Sequence, residues 1–147
     1  MPRSNPRSPP AGRSRGGSAG TMAAARRLPL RVVRALDASK SLRIRAGSEP
    51  HRFIGIWVVV VRQRVFVRSW ELRATGWFQT LRRDPVGAIQ VGGRTVPIST
   101  RVVRGESVLR AVDRAYEAKY SGPGSIKYVR GFRRGRRRAS TTELLPA

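Results

Sequence analysis

The stretch Ile54-Gly-Ile-Trp-Val-Val-Val-Val61-Arg-Gln-Arg64-Val-Phe-Val-Arg-Ser-Trp70 decides the fold. Ile56 to Val61 is an unbroken apolar run rich in β-branched residues, long enough for a central strand buried on both faces. Arg62-Gln63 interrupts it, and the apolar pattern resumes at Arg64. Two such runs separated by two residues predict a β-hairpin. A tight hairpin turn needs positive φ and favours Asn-Gly or Asp-Gly, so Arg-Gln predicts a strained turn or a longer loop. Strand alternation puts Phe66, Arg68 and Trp70 on one face and Val65, Val67 and Ser69 on the other. Arg68 and Ser69 therefore do not enter one cavity from a regular strand.

Upstream, Leu42-Arg-Ile-Arg45 alternates as a half-buried strand does, and Leu28, Val32, Val33 and Leu36 recur at helical spacing. Ala46 to Pro50 reads as a loop. Downstream, Gly76 to Leu81 is a short helix or an irregular segment. Ala88 to Val91, Gly92-Gly93 and Arg94 to Ile98 read as a second hairpin, with Pro97 calling for an edge strand or a bulge. The best helix is Ser107 to Tyr120, where Val108, Leu109, Val112, Ala115, Tyr116 and Lys119 share one face. Glu106 and Ser107 are candidates to cap its start, and Ser121-Gly122-Pro123 stops it. Residues 122–138 read as a Gly- and Arg-rich loop, and Ser140 to Pro146 as a last strand. Antiparallel strands with one or two helices predict a mostly β fold, a small barrel with peripheral helices.

Composition bounds the chemistry. The chain has 147 residues, about one domain's worth, with 31 basic and 8 acidic residues and a formal charge of +23. There is no cysteine, which excludes disulfides, Cys-ligated metals and thiol catalysis. The single histidine, His51, makes no metal site and reads as a loop-surface residue. The longest strongly apolar run falls well short of the roughly 20 residues of a membrane-spanning helix, so a cytoplasmic protein is expected. Residues 1–27 carry six arginines and no acid among Pro, Gly and Ser, and read as a disordered basic tail ahead of a single domain over residues 28–147. The tail lacks the apolar core of a secretory signal. It reads as a tail, an organelle transit peptide, or an extension upstream of a start at Met22.

Several ordered segments carry a resemblance. Ile56 to Val61, Val65 to Trp70, Gly76-Trp77-Phe78, Ala88-Ile-Gln-Val-Gly-Gly93, Ala115-Tyr-Glu-Ala-Lys-Tyr120 and Ser140-Thr-Thr-Glu-Leu-Leu-Pro146 resemble a family of short bacterial proteins, the domain-of-unknown-function family 2255. The resemblance covers roughly residues 41–146. That family looks like a branch of the split-barrel superfamily that includes pyridoxamine phosphate oxidases and deazaflavin-dependent nitroreductases. The resemblance implies a six-stranded antiparallel split β-barrel of Greek-key topology. It also implies a homodimer with FMN or a deazaflavin at the dimer interface, and hydride-transfer oxidoreductase chemistry. Arg43 to Arg52 stands where the deazaflavin branch has a Gly- and Arg-rich phosphate-binding loop. This chain departs from its family at Arg62-Gln63, in place of an Asp-Gly-like turn, and at Phe53-Ile-Gly-Ile56, in place of a Thr-Pro-Ile.

The candidate cofactor-binding residues are Arg45, Arg52, Trp57, Arg68 and Ser69 on or beside the elements that would line such a pocket. Guanidinium forks suit a phosphate tail, and an indole suits a flat ring; the competing readings are solvated arginines and a core tryptophan. Trp70 and Trp77 carry the same choice between stacking and core. Tyr116 and Tyr120 read as core, with Lys119 between them within reach of a phosphate. The acids are dispersed, and no pair has the spacing of general acid–base catalysis. Arg133, Arg134, Arg136, Arg137 and Arg138 form the strongest electrostatic feature. With Tyr128 and Phe132 beside them they suit nucleic-acid phosphates and bases, or form a solvated mobile loop. Three functions follow: a flavin or deazaflavin oxidoreductase, a basic nucleic-acid-binding module, or a cofactor-free structural homodimer.

Overall fold

The computed structural model describes residues 26–147. The readings made for the N-terminal tail and for Met22 lie outside the described residues, apart from Arg26 and Arg27. The chain forms helix α1 (Leu30–Ala38), strands β1 (Leu42–Ala46), β2 (Ile54–Ile56), β3 (Val59–Val61) and β4 (Arg64–Val67), and helix α2 (Trp77–Arg83). It continues through β5 (Val86–Val91), β6 (Arg94–Val102), α3 (Glu106–Lys119), α4 (Ile126–Phe132), α5 (Gly135–Ala139) and β7 (Thr142–Pro146).

The strands make one seven-stranded sheet in the order β2-β1-β5-β6-β7-β4-β3, with antiparallel pairing throughout. The two edge strands are consecutive in the chain and separated only by Trp57 and Val58. Laid flat, seven strands would hold the edges about 29 Å apart, whereas the three Cα steps from Ile56 to Val59 span at most about 11 Å. The sheet must therefore curl until its edges nearly meet, and Trp57-Val58 bridges the seam.

This corrects two expectations. The strand count is seven rather than six, because the apolar run at Ile54–Val61 is broken into β2 and β3 at opposite edges. That run is accordingly not a central strand. The strands buried on both faces are β4 and β7: in β4, Val65 and Val67 join the cluster inside the curl with Leu36, Ile44, Ile89 and Leu144, while Phe66 joins Val112, Tyr116 and Phe132 outside it.

The Arg62-Gln63 turn is the strained one. Val61 pairs with Arg64, so the loop has two residues, and φ is +52° at Arg62 and +66° at Gln63. Gly92-Gly93 makes the equivalent turn between β5 and β6 with residues suited to positive φ. Pro97 is on an interior strand, not an edge. It is tolerated because β7 ends opposite Ile98, leaving the side of β6 at Pro97 without a strand partner. Helix α3 is N-capped by Gly105, without a side-chain cap from Glu106 or Ser107. Residues 126–139, read from sequence as loop, are the two short helices α4 and α5 packed over β4 and α3.

Candidate functional site

The seam generates the site. Strand β2 pairs only with β1, and all three of its residues line a cavity of about 440 Å³. Trp57, Trp70, Trp77, Tyr128 and Phe132 form most of its remaining wall, so all three tryptophans of the chain meet here. A second cavity of about 360 Å³, lined by His51, Arg52, Arg73 and Thr75 among others, adjoins it through the shared residues Ile54, Glu71 and Trp77. The result is an aromatic chamber opening into one of net positive charge, where Arg73 pairs with Glu71 at 3.3 Å and Arg52 is in no ion pair of the described residues.

Each aromatic wall is held by named contacts. Trp57 stacks on Tyr120 with ring centres 4.0 Å apart and planes 3° from parallel. The Tyr120 hydroxyl accepts from the Val58 amide at 3.1 Å and also contacts the Lys40 and Val58 carbonyls. Lys119 Nζ donates to the carbonyls of Leu36 at 3.0 Å and Val58 at 2.9 Å. The last residue of α3 and the one after it thus satisfy the backbone of the seam that no strand reaches, and Trp57 is fixed with it. Burial lowers the pKa of Lys119 and raises that of Tyr120. The lysine read as a phosphate ligand is therefore bound to two backbone carbonyls.

Trp70 stands edge-on to Tyr128, with ring centres 4.9 Å apart, and to Phe132 at 5.6 Å. Gly131 lies beneath it, and a Cβ there would come within 2.4 Å of Trp70 Cζ3. Arg137 lies over the indole at 3.8 Å and donates through Nε to the Trp70 carbonyl at 3.0 Å.

Arg68 contributes to the chamber wall, yet its side chain is 0% exposed and its donors are committed inside the protein. Nε donates to Thr141 Oγ1 at 2.7 Å, Nη1 to Asp113 at 2.6 Å and to the Phe132 carbonyl at 2.9 Å, and Nη2 to the Leu109 carbonyl at 3.1 Å. Burial lowers its pKa, while the bond and charge of Asp113 oppose that shift. Asp113 also accepts from Arg138, which reaches on to Glu106 at 2.8 Å. Both carboxylates hold the Arg138 guanidinium well above its ordinary range.

The structure sorts the sequence candidates as follows. Trp57 and Arg68 are on the aromatic chamber and Arg52 is on the cationic one. Arg45 is half-buried on β1 with its guanidinium 5.0 Å from the Phe53 ring centre. Ser69 is fully buried, its amide donating to Ser140 Oγ at 2.8 Å and its hydroxyl to the Glu71 carbonyl, and it lines neither chamber. His51 is exposed at the cationic chamber. In the arginine run, Arg133 pairs with Glu117 at 2.6 Å, Arg137 holds Trp70, and Arg138 holds Asp113 and Glu106. Arg134 and Arg136 are exposed. Phe132 is buried, so it is not displayed for base stacking. Sequence reading missed the Glu106–Asp113 pair. A seven-residue interval on a helix puts both on one side, and this was the available signal.

Among the described residues no three His, Cys, Asp or Glu side chains gather as metal ligands would, and no helix is long and apolar enough to cross a membrane.

With this geometry in place, comparison with known proteins gives the family. The model of a family of uncharacterised proteins conserved in bacteria, DUF2255, matches residues 32–144, and the chain belongs to that family. No curated protein matches its sequence. Among solved structures it is similar to the conserved hypothetical protein Rv2991 from Mycobacterium tuberculosis, with a TM-score of 0.55 at 12% identity over 83% of this chain and 81% of that one. It is also similar to an F420-H2 dependent reductase, FDR-A, with a TM-score of 0.51 at 15% identity over 71% of this chain and 91% of that one. At these identities the likeness is one of fold alone.

Proposed function

We propose that the two-chambered cleft holds FMN or a deazaflavin, and that the protein is a cofactor-dependent oxidoreductase. The observation that carries this reading is the adjacency of an aromatic chamber and a cationic one along an unpaired strand edge. A flat tricyclic ring with an anionic tail needs those two environments side by side. Trp57 and Trp70 would contact the ring, the free edge of β2 would offer it backbone donors and acceptors, and Arg52 would meet the phosphate end. Such a cofactor, when bound, supplies hydride transfer. The chain's own residues bind, orient and exclude water. The stacking of Trp57 on Tyr120, whose hydroxyl is bonded to the backbone of the seam, presets the chamber. The likeness in fold to a reductase that uses F420-H2 supports the deazaflavin branch of the reading. The homodimer implied by the resemblance belongs to the same reading, and sedimentation at the titration concentrations tests it.

The test is a tryptophan-fluorescence titration of the full chain with FMN and with the deazaflavin F420. All three tryptophans report from the cleft. Saturable quenching by one of them, weakened about tenfold by Arg52→Ala through loss of one charged hydrogen bond, is the expected result. No saturable quenching by either would overturn the reading.

A further inference from the structure

We infer that Glu71 recognises the middle of the bound cofactor, its carboxylate accepting hydrogen bonds from the hydroxyls of a chain that joins the flat ring to the anionic end. This rests on the reading of the cleft given above and adds a selection to it. A ligand whose two ends are joined by a polyhydroxylated chain fits the cleft, and one joined by a bare hydrocarbon does not. The two chambers share Ile54, Glu71 and Trp77, so a ligand that occupies both must pass these residues. Trp77 belongs to the core inside the curl, and Ile54 packs against the same core. The neck is therefore apolar except at Glu71, which is exposed.

The backbone that carries Glu71 is fixed on both sides. The Ser69 hydroxyl donates to the Glu71 carbonyl, and Arg137 Nε donates to the Trp70 carbonyl at 3.0 Å. Further along, the Gly76 amide donates to the Arg73 carbonyl at 2.9 Å. A Cβ on Gly76 would stand 3.1 Å from that carbonyl oxygen and 3.6 Å from that of Glu71, so the loop from Glu71 to Gly76 closes tightly on itself. Ser69, which lines neither chamber, acts on the cleft through its bond to Glu71.

With 31 basic residues in the chain and only 8 acidic ones, a free arginine says little about function and an acid says more. Most of the acids have a partner inside the fold. Glu106 and Asp113 hold Arg138, Glu117 holds Arg133, and Glu143 holds Arg64 and Arg101. Asp84 accepts from the Ser48 amide at 2.8 Å and hydroxyl at 2.6 Å. Asp37 lies toward Lys119, and Glu49 lines neither chamber. Glu71 has Arg73 at 3.3 Å, and both side chains are exposed, a kind of pair that contributes little. No other residue lining either chamber is acidic. A carboxylate at the neck repels the anionic end of a ligand. A ligand in the neck also covers it, and a covered charge costs binding energy unless it is hydrogen-bonded. Donors on the ligand at that point offset both costs. Hydroxyls on the joining chain are such donors, and their bonds to a carboxylate are of the strong, charge-assisted kind.

Two variants of the full chain test this. Glu71→Gln removes the charge and keeps an acceptor oxygen, whereas Glu71→Leu removes both. Each is titrated by tryptophan fluorescence with FMN and with lumiflavin, the same ring carrying a methyl group in place of the ribityl phosphate chain. Both variants lose the same charge, so repulsion of the phosphate cancels between them. FMN should bind Glu71→Leu about tenfold more weakly than Glu71→Gln, for the loss of one hydrogen bond, and lumiflavin should not distinguish the two. Both should unfold at the urea concentration of the parent, because the pair with Arg73 is exposed. Equal FMN affinities in the two variants, or tighter binding by Glu71→Leu, would overturn the inference and leave the reading of the cleft standing. So would an equal gap with lumiflavin, which would set Glu71 against the ring, or a urea midpoint lowered in Glu71→Leu alone, which would trace the gap to folding. A parent protein quenched by neither FMN nor F420 would remove the reading of the cleft and this inference with it. If the parent binds F420 alone, F420 and its ring without the chain take the places of FMN and lumiflavin.

Discussion

Removing the carboxylate of Asp113 should do more damage than removing any exposed acid. Its Oδ1 lies 2.6 Å from Arg68 Nη1, and the Arg68 side chain is 0% exposed. The other partners of Arg68 are a hydroxyl and two backbone carbonyls, all neutral. Burial lowers the arginine pKa, but from so high a starting value that the group stays charged at neutral pH. Asp113→Ala therefore leaves one buried cation without a counter-charge and brings Arg138 to face it. Breaking a buried pair in this way costs about 3–5 kcal/mol. Urea unfolding followed by tryptophan fluorescence measures it. Replacing both partners, as in Arg68→Met/Asp113→Leu, removes the orphaned charge and should recover most of the loss. Arg138→Ala should cost less than Asp113→Ala, because Arg138 is at the surface with 20% of its side chain exposed. A loss below about 1 kcal/mol for Asp113→Ala, or a double variant as unstable as the single, would refute the assignment of a buried charge pair.

Other expectations follow from the same geometry. Arg62→Asn/Gln63→Gly relieves two positive φ angles in the β3–β4 turn and should stabilise the fold by about 1–2 kcal/mol in the same urea assay. Tyr120→Phe removes the hydroxyl that satisfies Val58 and should cost about 1–2 kcal/mol while shifting the emission of Trp57. Gly131→Ala forces Trp70 off its seat and should weaken cofactor quenching without unfolding the chain, because Trp70 is 37% exposed and the only side chain over it, Arg137, is itself at the surface. Glu143 gives a pH signature. Burial would raise its pKa, but the bonds and charges of Arg64 and Arg101 together hold it below the ordinary range. A depressed folded-state pKa contributes stability that is present above the unfolded value of about 4.3 and lost as pH falls through the folded one. Glu143→Gln should flatten the acid limb of stability against pH, and an unchanged limb would contradict the linkage.

The two hairpins and α3 were legible because each has its own local signal: two apolar runs around a two-residue turn, Gly-Gly at the second turn, and a helical apolar stripe. The break at Trp57-Val58 was not. An unbroken β-branched run looks the same whether it is one strand or two strands that meet across a seam, and only the pairing of distant β1 and β4 separates them. The helices α4 and α5 were hidden by composition. Gly131 and Gly135 suggest a loop, yet Gly131 is set by the Trp70 ring above it and Gly135 by a φ of +60° at the start of α5. The arginines around them are good helix formers. Arg68 was picked out as a functional cation on its strand face. Its neighbours on that face, Phe66 and Trp70, were read correctly, but the helix carrying Asp113 that covers the face is remote in sequence.

The position of the cleft follows from how the sheet closes. A curled sheet whose edge strands are consecutive cannot pair those edges at the crossing, because the two linking residues turn the chain away from both ladders. Their backbone groups must be met by something other than a strand. At Val58 the protein supplies Tyr120 and Lys119, and the crossing is sealed. At β2 it supplies no strand beyond β1, and aromatic side chains from the β4 end and α4 surround the open edge instead of covering it. One half of the seam is thus built to be rigid and the other to remain accessible, with Trp57 at the boundary between them. A mutation that loosens the sealed half should therefore be felt in the open half. Lys119→Met, which touches neither chamber, should weaken quenching by the bound cofactor along with stability. An affinity unchanged in a measurably destabilised Lys119→Met protein would show that the two halves of the seam are independent.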